Sequence, residues 1–365
     1  MKLIGMFAVA LSFLGAAAVL SLGQAPAPVP PRTGPGVQAP QDAKEPEVLA
    51  GCKTPPPPAR GGGRGPGGAG GQGRGRGPAA PTGPRDYTVT EIPGVIAASQ
   101  KWKDIWQVSG NNADGIIGTK DGGILIAQND NSDVVKLDKN GKTSIAYSGT
   151  NTGGAVSMNS KGVLFVNNRG LNEDIVELVP QRRTFANKYQ GDPLDCIRTG
   201  VLNDLAAAGN GGIYFTYGGL YYADPKGAIT KYGEDLNTNG IILSRDEKTL
   251  YVTNGATLAA FDVQPDGSLT NQREFAKWEG GGGDGSTIDA EGRIYVSTNP
   301  GVQVISPDGK LLGLIPTPQN IISLAFSGKD KKTLYAVVSL RDATGTSARI
   351  ISIQMIAQGF KGRAK

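Results

Sequence analysis

An all-β fold of six similar sheets, a six-bladed β-propeller, is predicted over residues 87–365 by three observations. A short apolar strand recurs six times, with centres spaced by 40, 49, 37, 44 and 40 residues. A tight turn and another short strand precede each copy, and no convincing amphipathic helix separates the copies. Repeats of this length, with about four short strands each, are typical of propeller blades. The six centres are Leu125, Phe165, Tyr214, Tyr251, Tyr295 and Tyr335.

Residues 1–23 read as a signal peptide that is cleaved before Gln24. Lys2 supplies a weak positive start, and an almost wholly apolar, Ala-rich run follows. A membrane anchor is the alternative, because the run approaches about 20 residues. Polar, Pro-rich sequence follows without a basic stop-transfer cluster, so we expect export to the periplasm or medium without stable membrane insertion.

Residues 24–86 are low in complexity and are predicted to be a disordered linker. Pro dominates their first half and Gly with Arg their second half, so little of this stretch can be buried. Leu49-Ala50-Gly51-Cys52 resembles a lipidation signal. It lacks the apolar helix that should precede such a signal, and we interpret the match as chance.

The net charge of +5 comes from the leader and linker. Residues 1–86 hold nine basic and four acidic residues, so residues 87–365 are neutral. The propeller therefore lacks the basic excess that nucleic-acid binding requires, and no nucleic-acid partner is expected. The oligomeric state is not predicted by the sequence.

The chain has two cysteines, Cys52 in the linker and Cys196 in the propeller. A disulfide between them is chemically feasible in an oxidising compartment, but we do not expect it to form.

The propeller should begin and end with strands that pair with each other. Residues 87–92 and 349–355 both alternate between apolar and polar side chains. We expect these two segments to pair within one blade and close the ring, because propellers must hide their edge strands.

The clearest repeat, Asn239 to Val252, predicts a β-hairpin introduced by Asn239-Gly240. An array of immunoglobulin-type domains is the alternative fold. Such a domain needs about 100 residues, more than twice this repeat, so the propeller fits better.

A repeated slot eleven or twelve residues before each strand centre holds mostly Asp or Asn. The first strand of a propeller blade lines the central channel, so equivalent positions should form a ring at one mouth of the channel. The alternative is that Asp-Gly and Asn-Gly are only turn dipeptides. The slot residues are Asp114, Gly154, Asn203, Asn239, Asp284 and Leu324.

The slot chemistry predicts a site for a hard divalent cation. Two carboxylates and two amides offer only oxygen ligands, and the chain has no His. A cation with open positions could polarise a carbonyl and activate a water molecule. Ca²⁺ is the first expectation, with Mg²⁺, Mn²⁺ or Zn²⁺ as alternatives. The predicted ligands are Asp114, Asn203, Asn239 and Asp284.

Residues 108–340 resemble the gluconolactonase, regucalcin (senescence marker protein) and LRE-like family. The stretch Asn239–Val252 resembles its signature, and three further segments agree in order and spacing. They are Leu202–Leu205 with Ile213–Thr216, Asp284-Gly285 with Ile288–Gly292, and Pro307–Gly309. The resemblance implies a six-bladed propeller with one divalent cation near the axis, and lactone hydrolysis as the typical activity.

The resemblance also implies roles for individual residues. Asn239 and Asp284 fall where the family has metal ligands, and Asp284 is also the implied general base. Asn203 matches a further Asn of the metal or substrate shell. Asp114 stands where the family has a longer Glu, and Val201 stands where it often has a lactone-binding Arg.

Two functions are consistent with these residues, and the resemblance implies the first of them. The first is metal-dependent hydrolysis of a small-molecule lactone or related ester, with Asp284 taking a proton from water. The second is a non-catalytic propeller that binds a ligand or protein at the channel mouth, with a purely structural cation. A Ser-His-Asp mechanism is excluded because the chain lacks His.

Overall fold

A computed structural model describes residues 44–53, 84–109, 113–129, 131–342 and 345–365. The predicted signal peptide and most of the predicted linker lie outside these residues. Among the described residues, no helix has the length and apolar character that a membrane crossing requires.

The described chain folds as six four-stranded antiparallel sheets, which are the six blades of a β-propeller. Ahead of the first blade lie α1 (Glu45–Ala50) and β1 (Lys103–Ser109). Blade 1 is β2 (Ala113–Gly118), β3 (Ile124–Gln128), β4 (Asp133–Leu137) and β5 (Thr143–Tyr147). Blade 2 is β6 (Val156–Met158), β7 (Leu164–Asn168), β8 (Asp174–Val179) and β9 (Arg183–Ala186). A ribbon of β10 (Lys188–Tyr189) and β11 (Asp192–Pro193) and a 3₁₀ turn (Leu194–Cys196) follow.

The second half of the ring continues the same pattern. Blade 3 is β12 (Leu205–Ala207), β13 (Ile213–Thr216), β14 (Leu220–Ala223) and β15 (Ile229–Tyr232). Blade 4 is β16 (Thr238–Leu243), β17 (Thr249–Asn254), β18 (Thr257–Val263) and β19 (Leu269–Lys277). Blade 5 is β20 (Ser286–Ile288), β21 (Ile294–Ser297), β22 (Gly301–Ile305) and β23 (Leu311–Pro316). Blade 6 is β24 (Ile321–Ser327), β25 (Thr333–Asp342), β26 (Gly345–Gln354) and the early strand β1.

The first strands of the six blades form a closed ring around the axis. β2 contacts β6 and β24, and β6, β12, β16, β20 and β24 contact one another in that order. The six predicted strand centres all lie in the second strands of the blades. The prediction of a six-bladed propeller is therefore confirmed.

Apolar side chains fill the space between neighbouring blades rather than one central core. Phe165 of blade 2 and Phe215 of blade 3 belong to one such layer, and both side chains are fully buried. Fully burying a large apolar side chain contributes about 1.5–3 kcal/mol. Each sheet is thus held by apolar contacts on both faces.

The strand that closes the ring differs from the one predicted. β26 pairs with β1, whereas residues 87–92 form only an isolated bridge between Ile92 and Ile96. Val89 and Ile92 instead pack into the apolar layer of blades 5 and 6. Apolar and polar side chains alternate in residues 87–92 because one side of the segment is buried. An irregular segment that is buried on one side can show the same alternation as a strand.

Two expectations about the linker are wrong in its described part. Residues 44–53 are ordered and contain helix α1, and Cys52 forms a disulfide with Cys196. The Arg198 guanidinium also pairs with the Glu45 carboxylate at 2.8 Å, and both side chains are largely buried. The composition of the linker suggested that nothing could compensate for the entropy lost on ordering it. The disulfide and the buried ion pair supply that compensation.

Candidate functional site

The repeated slot falls at one end of the channel, which we call the mouth. Asp114 lies in β2 and Asn239 in β16, while Asn203 and Asp284 lie just before β12 and β20. Each of these four residues is partly accessible, and both of its chain neighbours are buried. We call Asp114, Asn203, Asn239 and Asp284 the axial cluster.

The glycines that follow three slot residues allow the blades to approach closely. The Gly115 N–H donates to the Gly154 carbonyl at 2.7 Å, and the Gly285 N–H donates to the Ile322 carbonyl at 2.8 Å. A Cβ added to Gly240 would overlap the Asp284 carbonyl oxygen. These dipeptides therefore mark contacts between first strands, not tight turns.

This hydrogen-bond pattern corrects the sixth slot. In blade 1, the N–H of Gly115, which follows the slot residue, donates to the carbonyl of Gly154, the slot residue of blade 2. Because Gly285 binds Ile322, the sixth slot residue is Ile322 and not Leu324. Ile322 sits where the pairing register of β24 shifts between Ile321 and Ser323, so a fixed count along the sequence misses it.

Arg169, which no repeat in the sequence marks, lies beside the axial cluster at the position of blade 2. Its Nη1 lies 2.5 Å from the Asp114 Oδ2, and its Nη2 donates to the Asn203 Oδ1 at 2.9 Å. The guanidinium occupies the space that a side chain at Gly154 would need. The missing slot side chain at Gly154 was the one sequence signal that another group enters from elsewhere.

Hydrogen bonds continue the cluster from blade 3 to blade 4. The Asn203 Nδ2 donates to the Asn239 Oδ1 at 2.6 Å. The structure therefore joins Asp114, Arg169, Asn203 and Asn239 in one chain of polar contacts across four blades.

Asp284 lies within electrostatic range of this chain. Burial raises the pKa of Asp284 well above its ordinary value, and the Asp114 and Asp204 carboxylates raise it further. Burial also raises the pKa of Asp114, although the Arg169 guanidinium opposes that shift. Both carboxyls thus bind a proton more readily than exposed ones.

A second ion pair lies in the channel beside the cluster. The Lys365 ammonium contacts the Asp204 carboxylate and donates to the Leu205 carbonyl at 2.8 Å. Burial lowers the pKa of Lys365, while Asp204 opposes the shift. The Asp204 Oδ2 also accepts the Ile241 N–H at 3.0 Å.

The axial cluster suits a hard cation by its donor chemistry. Within the described residues, no three acidic or cysteine side chains are grouped closely enough to hold a metal by themselves. A cation here would need the amide oxygens of Asn203 and Asn239 beside the carboxylates of Asp114 and Asp284. Such a mixed oxygen set is typical of Ca²⁺ sites.

Comparisons with known proteins agree with the propeller fold. The family model described as the SMP-30/Gluconolactonase/LRE-like region matches residues 142–340. A gluconolactonase from Zymomonas mobilis subsp. mobilis is 28% identical over 191 residues, which cover 44% of this chain and 52% of that protein. The chain thus spans about half the length of this relative.

Solved structures share the fold. A gluconolactonase from Xanthomonas campestris has a TM-score of 0.62 at 21% identity and covers 76% of this chain and 98% of its own. A regucalcin from Agrobacterium tumefaciens, described as a calcium-binding protein, has a TM-score of 0.52 at 19% identity, covering 66% and 90%.

Proposed function

The chain belongs to the SMP-30/gluconolactonase/LRE-like family, and from this premise we propose that it hydrolyses a small-molecule lactone or a related ester at the channel mouth. The observation that carries the proposal is the axial cluster. Asp284, a carboxyl with a raised pKa, lies within electrostatic range of Asp114, and the Asn203 and Asn239 amides contact each other at the same mouth.

Asp284 is the proposed general base. A carboxylate with a raised pKa is a stronger proton acceptor than an exposed one, provided that it is ionised at the working pH. It would take a proton from the water molecule that attacks the ester carbonyl. Burial and the Asp114 and Asp204 carboxylates are what raise its basicity.

Asn203 and Asn239 would orient the substrate. Their contact at 2.6 Å fixes the two amides relative to each other, and Arg169 fixes Asn203 in turn. Amides held in this way can direct a hydrogen bond without reorganising during the reaction.

Asp114, Asn203, Asn239 and Asp284 would hold a divalent cation. A regucalcin of the same fold is described as calcium-binding, so we propose Ca²⁺, with Mg²⁺, Mn²⁺ or Zn²⁺ as alternatives. When bound, such an ion polarises the ester carbonyl and stabilises the negative charge that develops on its oxygen.

The proposed site of action is the periplasm or the medium. The disulfide between Cys52 and Cys196 supports this location, since structural disulfides persist mainly in oxidising compartments.

A non-catalytic binding propeller is the second candidate. The observation that favours it is that the Arg169 guanidinium already binds the Asp114 carboxylate and the Asn203 side-chain oxygen. A module of this kind would bind a ligand at the mouth without turnover.

The test is a panel of lactones and simple esters with the full chain, in EDTA and with Ca²⁺, Mg²⁺ or Mn²⁺. We expect turnover of at least one lactone, and a fall of about 100-fold or more in Asp284→Asn. Asp235→Asn, an exposed aspartate, is the matched control and should keep full activity.

The outcomes separate the two candidates. No turnover by folded protein with any ion would favour the binding module. Undiminished turnover by Asp284→Asn would remove Asp284 as the base.

A further inference from the structure

The Arg169 guanidinium is held almost entirely by the protein itself. Its Nε donates to the Leu202 carbonyl at 2.7 Å, and its Nη2 donates to the Asn203 carbonyl at 2.7 Å and to the Asn203 Oδ1 at 2.9 Å. Its Nη1 donates to the Asp114 Oδ2 at 2.5 Å. A guanidinium has five N–H groups, so among the described residues these contacts leave only one N–H unused.

This saturation argues against a role in gripping substrate. Bidentate binding of a carboxylate or phosphate needs two parallel N–H groups. With a single Nη1 proton left, Arg169 cannot offer that fork unless it first gives up Asp114 or Asn203. We therefore treat Arg169 as a fixed positive charge in the axial cluster.

The charge is also fixed in position. The Arg169 side chain is 10% exposed and the Asp114 side chain is 14% exposed, so little water screens the pair. The guanidinium fills the space above Gly154, where any larger residue would expel it. A cation that approaches the Asp114 carboxylate is therefore repelled by the positive Arg169 guanidinium, which already binds that carboxylate.

We infer that Arg169 and a divalent cation exclude each other at Asp114, so that Arg169 sets how tightly the mouth binds cations. In the resting protein, the guanidinium holds the Asp114 carboxylate and keeps cation affinity low. A cation gains Asp114 only when Arg169 moves away from it. The inference rests on the proposed cation site, but it concerns binding and not turnover.

The first experiment measures Ca²⁺ and Mn²⁺ binding to the full chain by titration calorimetry. Arg169→Gln removes the charge and keeps an amide that can hydrogen-bond. We expect it to bind each ion at least about tenfold more tightly than the wild type, because a nearby unit charge of like sign is worth more than a factor of ten. Equal or weaker binding would overturn the inference, as would the absence of binding to both proteins.

Two further variants locate the effect. Arg183→Gln removes an arginine of the same blade that pairs with Glu177 on the exposed edge, and it should bind ions as the wild type does. Asp114→Asn added to Arg169→Gln should cancel the gain in affinity. A gain that survives this second change would show that the competition does not occur at Asp114.

A measurement on the wild type covers the case in which Arg169→Gln does not fold. In protein labelled with ¹⁵N-arginine, the Arg169 Nε–H signal should shift as Ca²⁺ is raised to saturation. An unchanged signal would overturn the inference. Lactone turnover is measured separately, so a failure of the proposed activity and a failure of this inference give different results.

Discussion

Asp284 differs from the other members of the axial cluster in how its charge is balanced. Arg169 contacts Asp114 directly, whereas the described residues place no cationic side chain on the Asp284 carboxyl. Its neighbours within electrostatic range include the Asp114 and Asp204 carboxylates. The folded protein therefore favours the protonated form of Asp284 more than the unfolded chain does.

The pH dependence of stability should report this difference. The unfolded pKa of an aspartate is about 3.9, and the folded pKa of Asp284 is raised. Between these two values the folded state binds more protons, so wild-type stability in EDTA should fall as the pH rises through that window. Asp284→Asn should lose part of this fall, measured by urea unfolding at several pH values. A fall of equal size in both proteins would contradict the assignment, with Asp235→Asn again as the control.

Individual site residues were predictable only where they follow the repeat. Asp114, Asn203, Asn239 and Asp284 stand out because one position recurs in successive blades. Arg169 follows a second strand, outside that position, and Lys365 is separated from Asp204 by most of the propeller. Their contacts depend on how the blades close around the axis, and a local sequence pattern does not predict that arrangement.

At the scale of elements, residues 355–365 cross the floor of the channel, opposite the mouth. The Ala364 N–H and carbonyl bond with Met158 at the end of β6, and Arg363 donates to the Ser244 carbonyl after β16. The Phe360 N–H donates to the Ile288 carbonyl at the end of β20. One segment therefore ties the first strands of several blades together.

Lys365 carries the charge of this segment into the channel. Its side chain is 5% exposed and that of Asp204 is 12% exposed. Lys365→Met keeps most of the apolar length but leaves the Asp204 carboxylate without its cation. We expect a loss of about 3–5 kcal/mol in the free energy of unfolding, since removing one partner of a buried ion pair is costly.

Urea unfolding measures this loss, and Lys361→Met is the matched control. Lys361 is an exposed lysine of the same segment, so its change should stay within about 0.5 kcal/mol. Equal stability of Lys365→Met and wild type would mean that Asp204 finds other compensation, including its bonds to the Ile241 and Leu205 N–H groups.

The local sequence predicted individual strands better than it predicted which strands pair with each other. The hairpin of β16 and β17 was predictable because apolar runs flank a turn. The pairing of β1 with β26 was not, because residues 87–92 and 103–109 are both plausible edge strands by composition. Burial against blades 5 and 6 decides between them.

At the scale of the whole molecule, the Cys52–Cys196 disulfide attaches part of the linker to the propeller. It closes a loop with a sequence separation of 144 residues. Cross-linking so long a loop restricts the unfolded chain, and we expect Cys52→Ser with Cys196→Ser to lower the free energy of unfolding by about 2–5 kcal/mol.

Thermal unfolding with and without a reducing agent checks this value. Reductant should lower the melting temperature of the wild type towards that of the double variant. The double variant itself should not respond to reductant. A wild type whose melting temperature does not change on reduction would contradict a stabilising role for the Cys52–Cys196 disulfide.

The segment across the floor has a kinetic consequence for the reaction proposed at the other end. Because residues 355–365 bridge the floor of the channel, we expect the reactant to enter and the hydrolysed acid to leave through the mouth alone. Until the product acid dissociates, it prevents the next ester molecule from binding. Turnover should consequently slow as acid accumulates, in competition with fresh ester.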